Sequence, residues 1–513
     1  MSASRLIPAF LTVGGWTLAS RLLGFVRDIM IAAFLGTGPV AEAFLVAFSL
    51  PNMFRRFFAE GAFNMAFVPM FAKKLQAGDD PKAFGEEALS ALATILIAIT
   101  LLAQVFMPWV VLALASGFAG DARFDLTVHF ARVTFPYLLF ISIAALLSGI
   151  LNALGRFAVA AAAPVLLNVI LIAAMAGAHW LGFDIGKTLV WAVSVAGLAQ
   201  LVMIWFAAAR AGMTLRPVRP RISPELRRLA IIAAPAALAG GVVQVNLLVG
   251  RQVASFYDGA IAWLSYADRL YQLPLGVVGI AIGVVLLPDL SRRLAAGDIE
   301  GGRNAYNRGA EFTLLLSVPA ALALMVIPLP LVTVLFERGA FDAGDSWNTA
   351  IAVAIYGIGL PAFVLQKVIS PLYFAREDTR SPFRYALVSL VINAVIAIGL
   401  APWLGFVAPA IGTTIAGWAM VWLLWRGTRS MGEAARFDMR MRHRAGRILL
   451  AALAMAAVLV VSGWLFWDEF RTPGVRYAAL ATLVVVGATT YGLACLALKA
   501  ITLADFRAAL KRG

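Results

Sequence analysis

The sequence predicts an all-α, polytopic membrane protein with fourteen transmembrane helices. Of its 513 residues, 62% are hydrophobic and only 13% are charged, whereas a soluble domain has about 45–50% apolar and 25% charged residues. The apolar residues are gathered in segments of roughly 20 residues or more, the length that a helix needs to cross a bilayer. The segments show no alternation of polar and apolar residues, which favours helices over the strands of a barrel.

Fourteen apolar segments follow one another along the chain. They cover residues 7–35, 43–72, 88–115, 127–150, 157–178, 188–209, 229–255, 260–290, 310–336, 347–374, 383–402, 405–425, 447–467 and 477–498. Several are longer than the bilayer is thick, so we expect them to tilt or to protrude. The first begins close to Met1 without a small-residue cleavage site, which predicts a retained span rather than a signal peptide.

The charges of the connecting loops predict the orientation. Connections after even-numbered segments collect the Lys and Arg residues: Lys73, Lys74, Lys82, Arg156, Arg210, Arg216, Arg219, Arg221, Arg227, Arg228, Arg292, Arg293, Arg303, Arg308, Arg376, Arg380, Arg384 and those of residues 426–447. Connections after odd-numbered segments carry few positive charges and are mildly acidic, as at Asp121, Asp184 and Asp342. Because cytoplasmic loops retain positive residues, both termini are predicted to lie in the cytoplasm.

The chain contains an internal repeat. The segment Val68-Pro-Met-Phe-Ala-Lys-Lys-Leu-Gln-Ala-Gly-Asp79 matches Leu287-Pro-Asp-Leu-Ser-Arg-Arg-Leu-Ala-Ala-Gly-Asp298, and Trp180-Leu-Gly-Phe183 matches Trp403-Leu-Gly-Phe406 at nearly the same separation. This predicts two parallel, pseudo-symmetric six-helix lobes around a central cavity, an architecture suited to alternating access. The predicted divisions are residues 1–222 for segments 1–6, 223–430 for segments 7–12, and 431–513 for two C-terminal helices and a cytoplasmic tail.

Charged side chains lie inside or at the edge of the apolar segments. A charge at bilayer depth costs roughly 3 kcal/mol, so it usually faces a polar cavity or a partner. These charges are Arg21, Arg27 and Asp28 in segment 1; Glu42, Arg55, Arg56 and Glu60 at segment 2; Arg251 in segment 7; and Asp268 and Arg269 in segment 8. Arginines exceed carboxylates, which predicts a cationic cavity for an anionic ligand. The planar fork of arginine donates two hydrogen bonds to phosphate and stays charged.

Spacing predicts some local pairs among these charges. Arg21 and Asp28 are seven residues apart and share a helical face, while Arg56 and Glu60 are spaced for an i, i+4 pair. The alternative is that such residues reach the membrane surface or lock helices together. Glu42 has its own alternative, a solvated loop carboxylate.

Several classes of function are disfavoured by the sequence. The net charge of +15 is accounted for by cytoplasmic loops, so no nucleic-acid partner is expected. The single Cys495 and three scattered histidines offer no metal site, and no phosphate-binding Gly-rich loop indicates an ATPase. A membrane enzyme acting on polyprenyl phosphates would need clustered Asp or His residues at a membrane face. None are seen, so no enzymatic activity is predicted.

Three segments carry distinctive motifs: Ser20-Arg-Leu-Leu-Gly-Phe-Val-Arg-Asp28, Leu50-Pro-Asn-Met-Phe-Arg-Arg-Phe-Phe-Ala-Glu-Gly-Ala-Phe63, and Tyr266-Ala-Asp-Arg-Leu270. They closely resemble the MurJ (MviN) lipid II flippases of the multidrug/oligosaccharidyl-lipid/polysaccharide exporter superfamily. The resemblance covers essentially the whole chain. It implies a bacterial inner-membrane protein that moves the undecaprenyl-pyrophosphate-linked peptidoglycan precursor from the cytoplasmic to the periplasmic leaflet.

The resemblance also implies roles for particular residues. The family's essential arginines fall on Arg21, Arg27, Arg55 and Arg269, and Asp28 falls on the acidic partner beside Arg27. The family often has Asp where this chain has Glu42, which puts a strict geometric role there in doubt. Arg56, Glu60 and Asp268 are expected to support the site or its gating, and segments 13 and 14 to form a groove for the lipid tail.

The implied partners are lipid II, membrane lipids and other cell-wall synthesis proteins. No cofactor is expected, and the membrane potential or a monovalent cation would supply the energy. Two alternatives remain within the same superfamily. One is a flippase for another polyprenyl-linked glycan. The other is a cation-coupled drug exporter, which would favour an acidic or aromatic cavity over this basic one.

Overall fold

The computed structural model describes residues 3–55, 63–221, 223–281 and 286–501. Within these ranges the chain is almost entirely helical, and the described residues form no β-sheet; an isolated bridge joins Arg338 to Phe341. The predicted all-α fold class is therefore confirmed. The continuous apolar segments form helices because a helix satisfies every backbone hydrogen bond within the segment itself.

The helices follow the predicted segments closely. They are α1 (Ala3–Leu35), α2 (Pro39–Arg55), α3 (Phe63–Ala77), α4 (Pro81–Ala115), α5 (Ala122–Thr134), α6 (Tyr137–Ala153), α7 (Ala158–Leu181), α8 (Ile185–Arg210), α9 (Pro224–Ala254), α10 (Ala260–Ala281), α11 (Leu287–Ala295), α12 (Ile299–Val326), α13 (Pro328–Phe336), α14 (Ala343–Phe374), α15 (Arg380–Leu404), α16 (Ala408–Gly427), α17 (Met439–Leu465), α18 (Trp467–Arg471) and α19 (Arg476–Ala497).

Nine stretches of the described chain are long and apolar enough to cross a membrane. One of them, residues 380–431, contains both α15 and α16, and another, residues 122–153, contains α5 and α6. The structure thus supports a protein that crosses the membrane many times. The count of fourteen spans stays a prediction.

Acidic residues of the predicted odd-numbered connections begin helices. The side chain of Asp121 accepts a hydrogen bond from the backbone N–H of Arg123 at the start of α5, and Asp184 does the same for Lys187 at the start of α8. Asp342 and Asp345 form a reciprocal capping box at the start of α14. The mild acidity of these loops therefore has a local cause, since a carboxylate satisfies N–H groups that a helix leaves unpaired at its first turn.

The chain divides into two compact units, Met1–Ala262 and Trp263–Gly513. In the first unit α1 packs on α7, α7 and α6 pack on α8, and α2 packs on α5. The division differs from the lobes inferred from the internal repeat, which stay a prediction.

The second unit packs α14 against α12 and α16, and α15 against α16. Helix α17 packs on both α12 and α19, with Leu459 and Leu483 fully buried in one apolar cluster. The last two long helices are thereby joined to this unit through an apolar core.

Candidate functional site

Helix α1 buries an arginine beside its own neighbouring aspartate. One carboxylate oxygen of Asp28, Oδ1, accepts hydrogen bonds from Arg27 Nε at 3.0 Å and from Arg27 Nη2 at 2.7 Å. Arg27 is 6% and Asp28 5% exposed. The guanidinium also lies 5.6 Å from the ring centroid of Phe48 in α2. One edge of the arginine fork is therefore held by a carboxylate inside the protein.

The third contact of Arg27 comes from a residue that the sequence analysis missed. Asn168 of α7 accepts a hydrogen bond from Arg27 Nη1 at 2.9 Å, and its own amide nitrogen donates to the backbone oxygen of Ser20 at 3.0 Å. Asn168 is itself buried. A single asparagine in the middle of an Ala-, Leu- and Val-rich segment was the signal that could have identified it, because a buried amide needs partners.

Glu42, at the first turn of α2, is 1% exposed and is not a solvated loop carboxylate. Its Oε2 accepts a hydrogen bond from Arg123 Nη1 at 2.9 Å, and its Oε1 accepts one from the backbone N–H of Ile261 at 3.1 Å. Glu42 thus joins the starts of α2, α5 and α10 within the first unit.

Arg123 is the centre of this second cluster, although the sequence analysis gave it no role. Besides Glu42, it binds Asp121 Oδ2 at 2.6 Å through Nε and lies 2.9 Å from Asp258 Oδ1 through Nη2. Its guanidinium carbon lies 4.5 Å from the ring centroid of Phe118. Three carboxylates around one buried arginine satisfy its charge, which explains how an arginine is retained there.

The C-terminal end of α9 is bound to the turn that precedes α5. Gln252 accepts from the backbone N–H of Ser116 at 3.0 Å, and Ser255 Oγ accepts from that of Gly117 at 2.9 Å. A Cβ atom added to Gly117 would lie 2.5 Å from the backbone nitrogen of Phe256, so only glycine allows this close approach. Nearby, Arg251 Nη1 donates to Ser49 Oγ at 2.6 Å.

The other predicted site residues lie on the same helices. Arg21 lies on α1 and is exposed, unlike the buried Arg27 of the same helix. Arg55 is the last residue of α2 and is partly buried. In the second unit, Asp268 and the partly buried Arg269 are adjacent in α10, and Asp268 accepts a hydrogen bond from Gln272. Arg56 and Glu60 lie outside the described residues, so their predicted pairing stays a prediction.

Asp28 contacts Arg27, the arginine beside which the resemblance placed it. The predicted convergence of the four arginines around one ligand stays a prediction. For the described residues, no group of His, Cys, Asp and Glu side chains that could hold a metal ion is found.

Comparison with known proteins identifies the family. The family model described as "Lipid II flippase MurJ" matches residues 31–474. A probable lipid II flippase MurJ from Rhizobium meliloti (strain 1021) is 45% identical over 518 residues, covering 99% of this chain and 97% of the relative. The chain belongs to the MurJ family of lipid II flippases.

Other MurJ relatives agree with this assignment, and the resemblance read from the motifs is confirmed. The lipid II flippase MurJ of Burkholderia cenocepacia is 34% identical over 494 residues, covering 94% of each chain. A solved structure titled as lipid II flippase MurJ in an inward closed conformation has a TM-score of 0.79 at 24% identity, covering 94% of this chain and 97% of that one. An inward-facing multidrug transporter of the MATE family and MOP superfamily has a TM-score of 0.69 at 16% identity, covering 81% of this chain and 95% of that one. These two structures show the shared fold.

Proposed function

We propose that this chain moves lipid II, the undecaprenyl-pyrophosphate-linked peptidoglycan precursor, from the cytoplasmic to the periplasmic leaflet of the bacterial inner membrane. The observation that carries this proposal is its similarity, over nearly its whole length, to relatives named as lipid II flippases. The relatives are transporters, and their names include no catalytic activity.

The arginines of the membrane helices would bind the anionic headgroup. Arg27 is already held by a carboxylate through the fork edge formed by Nε and Nη2, and an edge with two donors suits a phosphate with two acceptor oxygens. We infer that Arg21, Arg55 and Arg269 bind the same pyrophosphate and sugar-peptide headgroup, while the prenyl tail stays in lipid. The positive charges of this site would be balanced or held in place by Asp28, Arg56, Glu60 and Asp268.

The Glu42–Arg123 cluster would close the outer end of the first unit. The loop charges predict that the starts of α2 and α5 lie on the periplasmic side. There Arg123 contacts Glu42, Asp121 and Asp258. A buried ion pair is costly to break by removing one partner but can be exchanged when both partners become hydrated. Opening toward the periplasm would separate these groups, and closing would restore them.

Energy for transport would come from outside the protein. A membrane potential that is negative inside favours outward movement of an anion by about 2.3 kcal/mol per charge per 100 mV. We propose that this potential or a monovalent cation drives the cycle without a cofactor. The partners would be lipid II, membrane lipids and other cell-wall synthesis proteins, and both chain termini would lie in the cytoplasm.

The test is the leaflet in which lipid II accumulates when the protein is depleted. Spheroplasts are treated from outside with an impermeant enzyme that cleaves lipid II, and the protected fraction is measured. We expect the protected fraction to rise on depletion and to fall when this chain is re-expressed. The matched control expresses the Arg27→Ala variant at the same level, which should leave the protected fraction high. Unchanged access to lipid II after depletion would contradict the proposal.

A further inference from the structure

Arg27 presents two different sides to its partners in α1 and α7. Asp28 Oδ1 occupies the edge formed by Nε and Nη2, whereas Asn168 Oδ1 accepts from Nη1 at 2.9 Å. A phosphate that binds the edge formed by Nε and Nη2 through two hydrogen bonds has to displace Asp28. It does not have to displace Asn168.

The amide of Asn168 is fixed from its other end. Its Nδ2 donates to the backbone oxygen of Ser20 at 3.0 Å, and Ser20 Oγ lies 3.5 Å away. Because a backbone oxygen can only accept, this bond sets the amide orientation and turns Oδ1 toward Arg27. Gly24 lies against the same amide, with a Cβ added there 3.6 Å from Nδ2. The bond to Ser20 that orients the acceptor does not involve Asp28.

We propose that Asn168 is a positioning residue for the pyrophosphate site. It holds Nη1 of Arg27 in place while the opposite edge passes from Asp28 to the substrate. Asn168 is neutral, so it positions the cation without competing for it as a second carboxylate would. This inference rests on the proposed function, since it assigns Arg27 to the phosphate of lipid II.

A simpler role for Asn168 is to join two helices. The bond to Ser20 links α7 to α1, and those helices pack closely along their length. The chain offers a matched control for that role. Gln200 of α8 is also a buried amide, and its Nε2 donates to the backbone oxygen of Ala163 in α7 at 2.7 Å. It joins two helices of the same unit and is far along the chain from the arginines.

The experiment measures lipid II affinity and thermal stability of the purified full-length protein in nanodiscs. Undecaprenyl pyrophosphate serves as a second ligand because it retains the phosphates and lacks the sugar-peptide headgroup. We expect Asn168→Leu to weaken both ligands by about ten-fold, the loss expected for one hydrogen bond to a charged group. Gln200→Leu should lower the melting temperature to a similar extent and leave both affinities unchanged.

Charge placement gives a second measurement. Both variants in it lack the Asn168 donor to Ser20, so a joining role is lost equally in the two and does not affect their comparison. Asn168→Asp adds a carboxylate to Arg27 and should weaken both ligands more than Asn168→Leu does. Adding Asp28→Asn to that variant removes the carboxylate from the edge that phosphate needs, so affinity should recover toward the parent value. This comparison uses only Asn168→Asp and the double variant. It can therefore be made even if Asn168→Leu does not accumulate in the membrane.

Two results would overturn the inference. One is an Asn168→Leu protein that binds both ligands like the parent, which would leave Asn168 only a helix contact. The other is an Asn168→Asp protein whose affinity is unaffected by Asp28→Asn. The Arg27→Ala variant distinguishes a wrong role for Asn168 from a wrong role for Arg27. If Arg27→Ala binds lipid II normally, the phosphate role of Arg27 itself is wrong, whatever Asn168 does.

Discussion

Glu42 Oε2 lies 2.9 Å from Arg123 Nη1, and both side chains are buried. The pair joins α2 to α5, and the second oxygen of Glu42 reaches the backbone N–H of Ile261. One carboxylate therefore connects three helix starts that are distant in sequence. Glu42 lies at the edge of an apolar segment, where sequence alone could treat it as a loop carboxylate. In the structure it is a central contact of the first unit.

The first prediction concerns the charge of Glu42. Glu42→Ala removes the one buried carboxylate among the three around Arg123 and leaves Asp121 and Asp258 in place. Removing a partner from a buried ion pair is destabilising, by up to about 3–5 kcal/mol when the other charge is left uncompensated. We expect this variant to lose most of its ability to support growth in a strain depleted of its own flippase. Glu42→Asp keeps the charge and should retain function. Normal growth of Glu42→Ala at native expression level would remove Glu42 from the mechanism.

The second prediction concerns Arg55. If Arg55 binds phosphate, Arg55→Ala should abolish complementation while the protein still accumulates in the membrane, as measured by immunoblot. Arg55→Lys should recover only part of the function, because a point charge cannot reproduce a two-pronged contact. Loss of the protein itself from the membrane would show instead that Arg55 supports the fold.

The third prediction concerns the close approach at Gly117. In Gly117→Ala the new methyl group would collide with the backbone at Phe256, and overpacking of this kind costs about 1–3 kcal/mol. We expect α9 to separate from the turn before α5, so that a cysteine at the buried Ala254 reacts faster with an impermeant thiol reagent. Gly177→Ala is the control, since a Cβ there meets nothing within 4 Å. Equal labelling rates in the two variants would contradict the role assigned to Gly117.

The fourth prediction concerns orientation. Gly78, Arg219, Asp184 and Asp342 are all exposed, and the native Cys495 is buried. In a Cys495→Ser background, single cysteines at Asp184 and Asp342 should react with an impermeant reagent added to intact cells. Cysteines at Gly78 and Arg219 should react only after the membrane is opened. Labelling of position 219 from outside would show that the predicted topology is wrong.

The membrane class, the helices and the candidate charges could be predicted from sequence because each depends on local properties. Apolar length specifies a spanning helix, and the high cost of a charge in the membrane marks residues such as Arg27 and Asp28 for attention. The same reasoning treated Asn168 as an unremarkable member of an apolar segment. Its importance depends on Ser20 and Arg27, which belong to a different helix.

By itself, the sequence determined which residues are charged within apolar segments and which helix carries each one. Only the tertiary structure decided their partners. Arg27 contacts Asp28, its neighbour in the chain, but its third contact is Asn168 of α7. Arg123 belongs to a connection between apolar segments, yet it lies buried against Glu42. The physical reason is that helical periodicity fixes the direction of a side chain, whereas the partner of a buried charge is set by the helix that packs beside it.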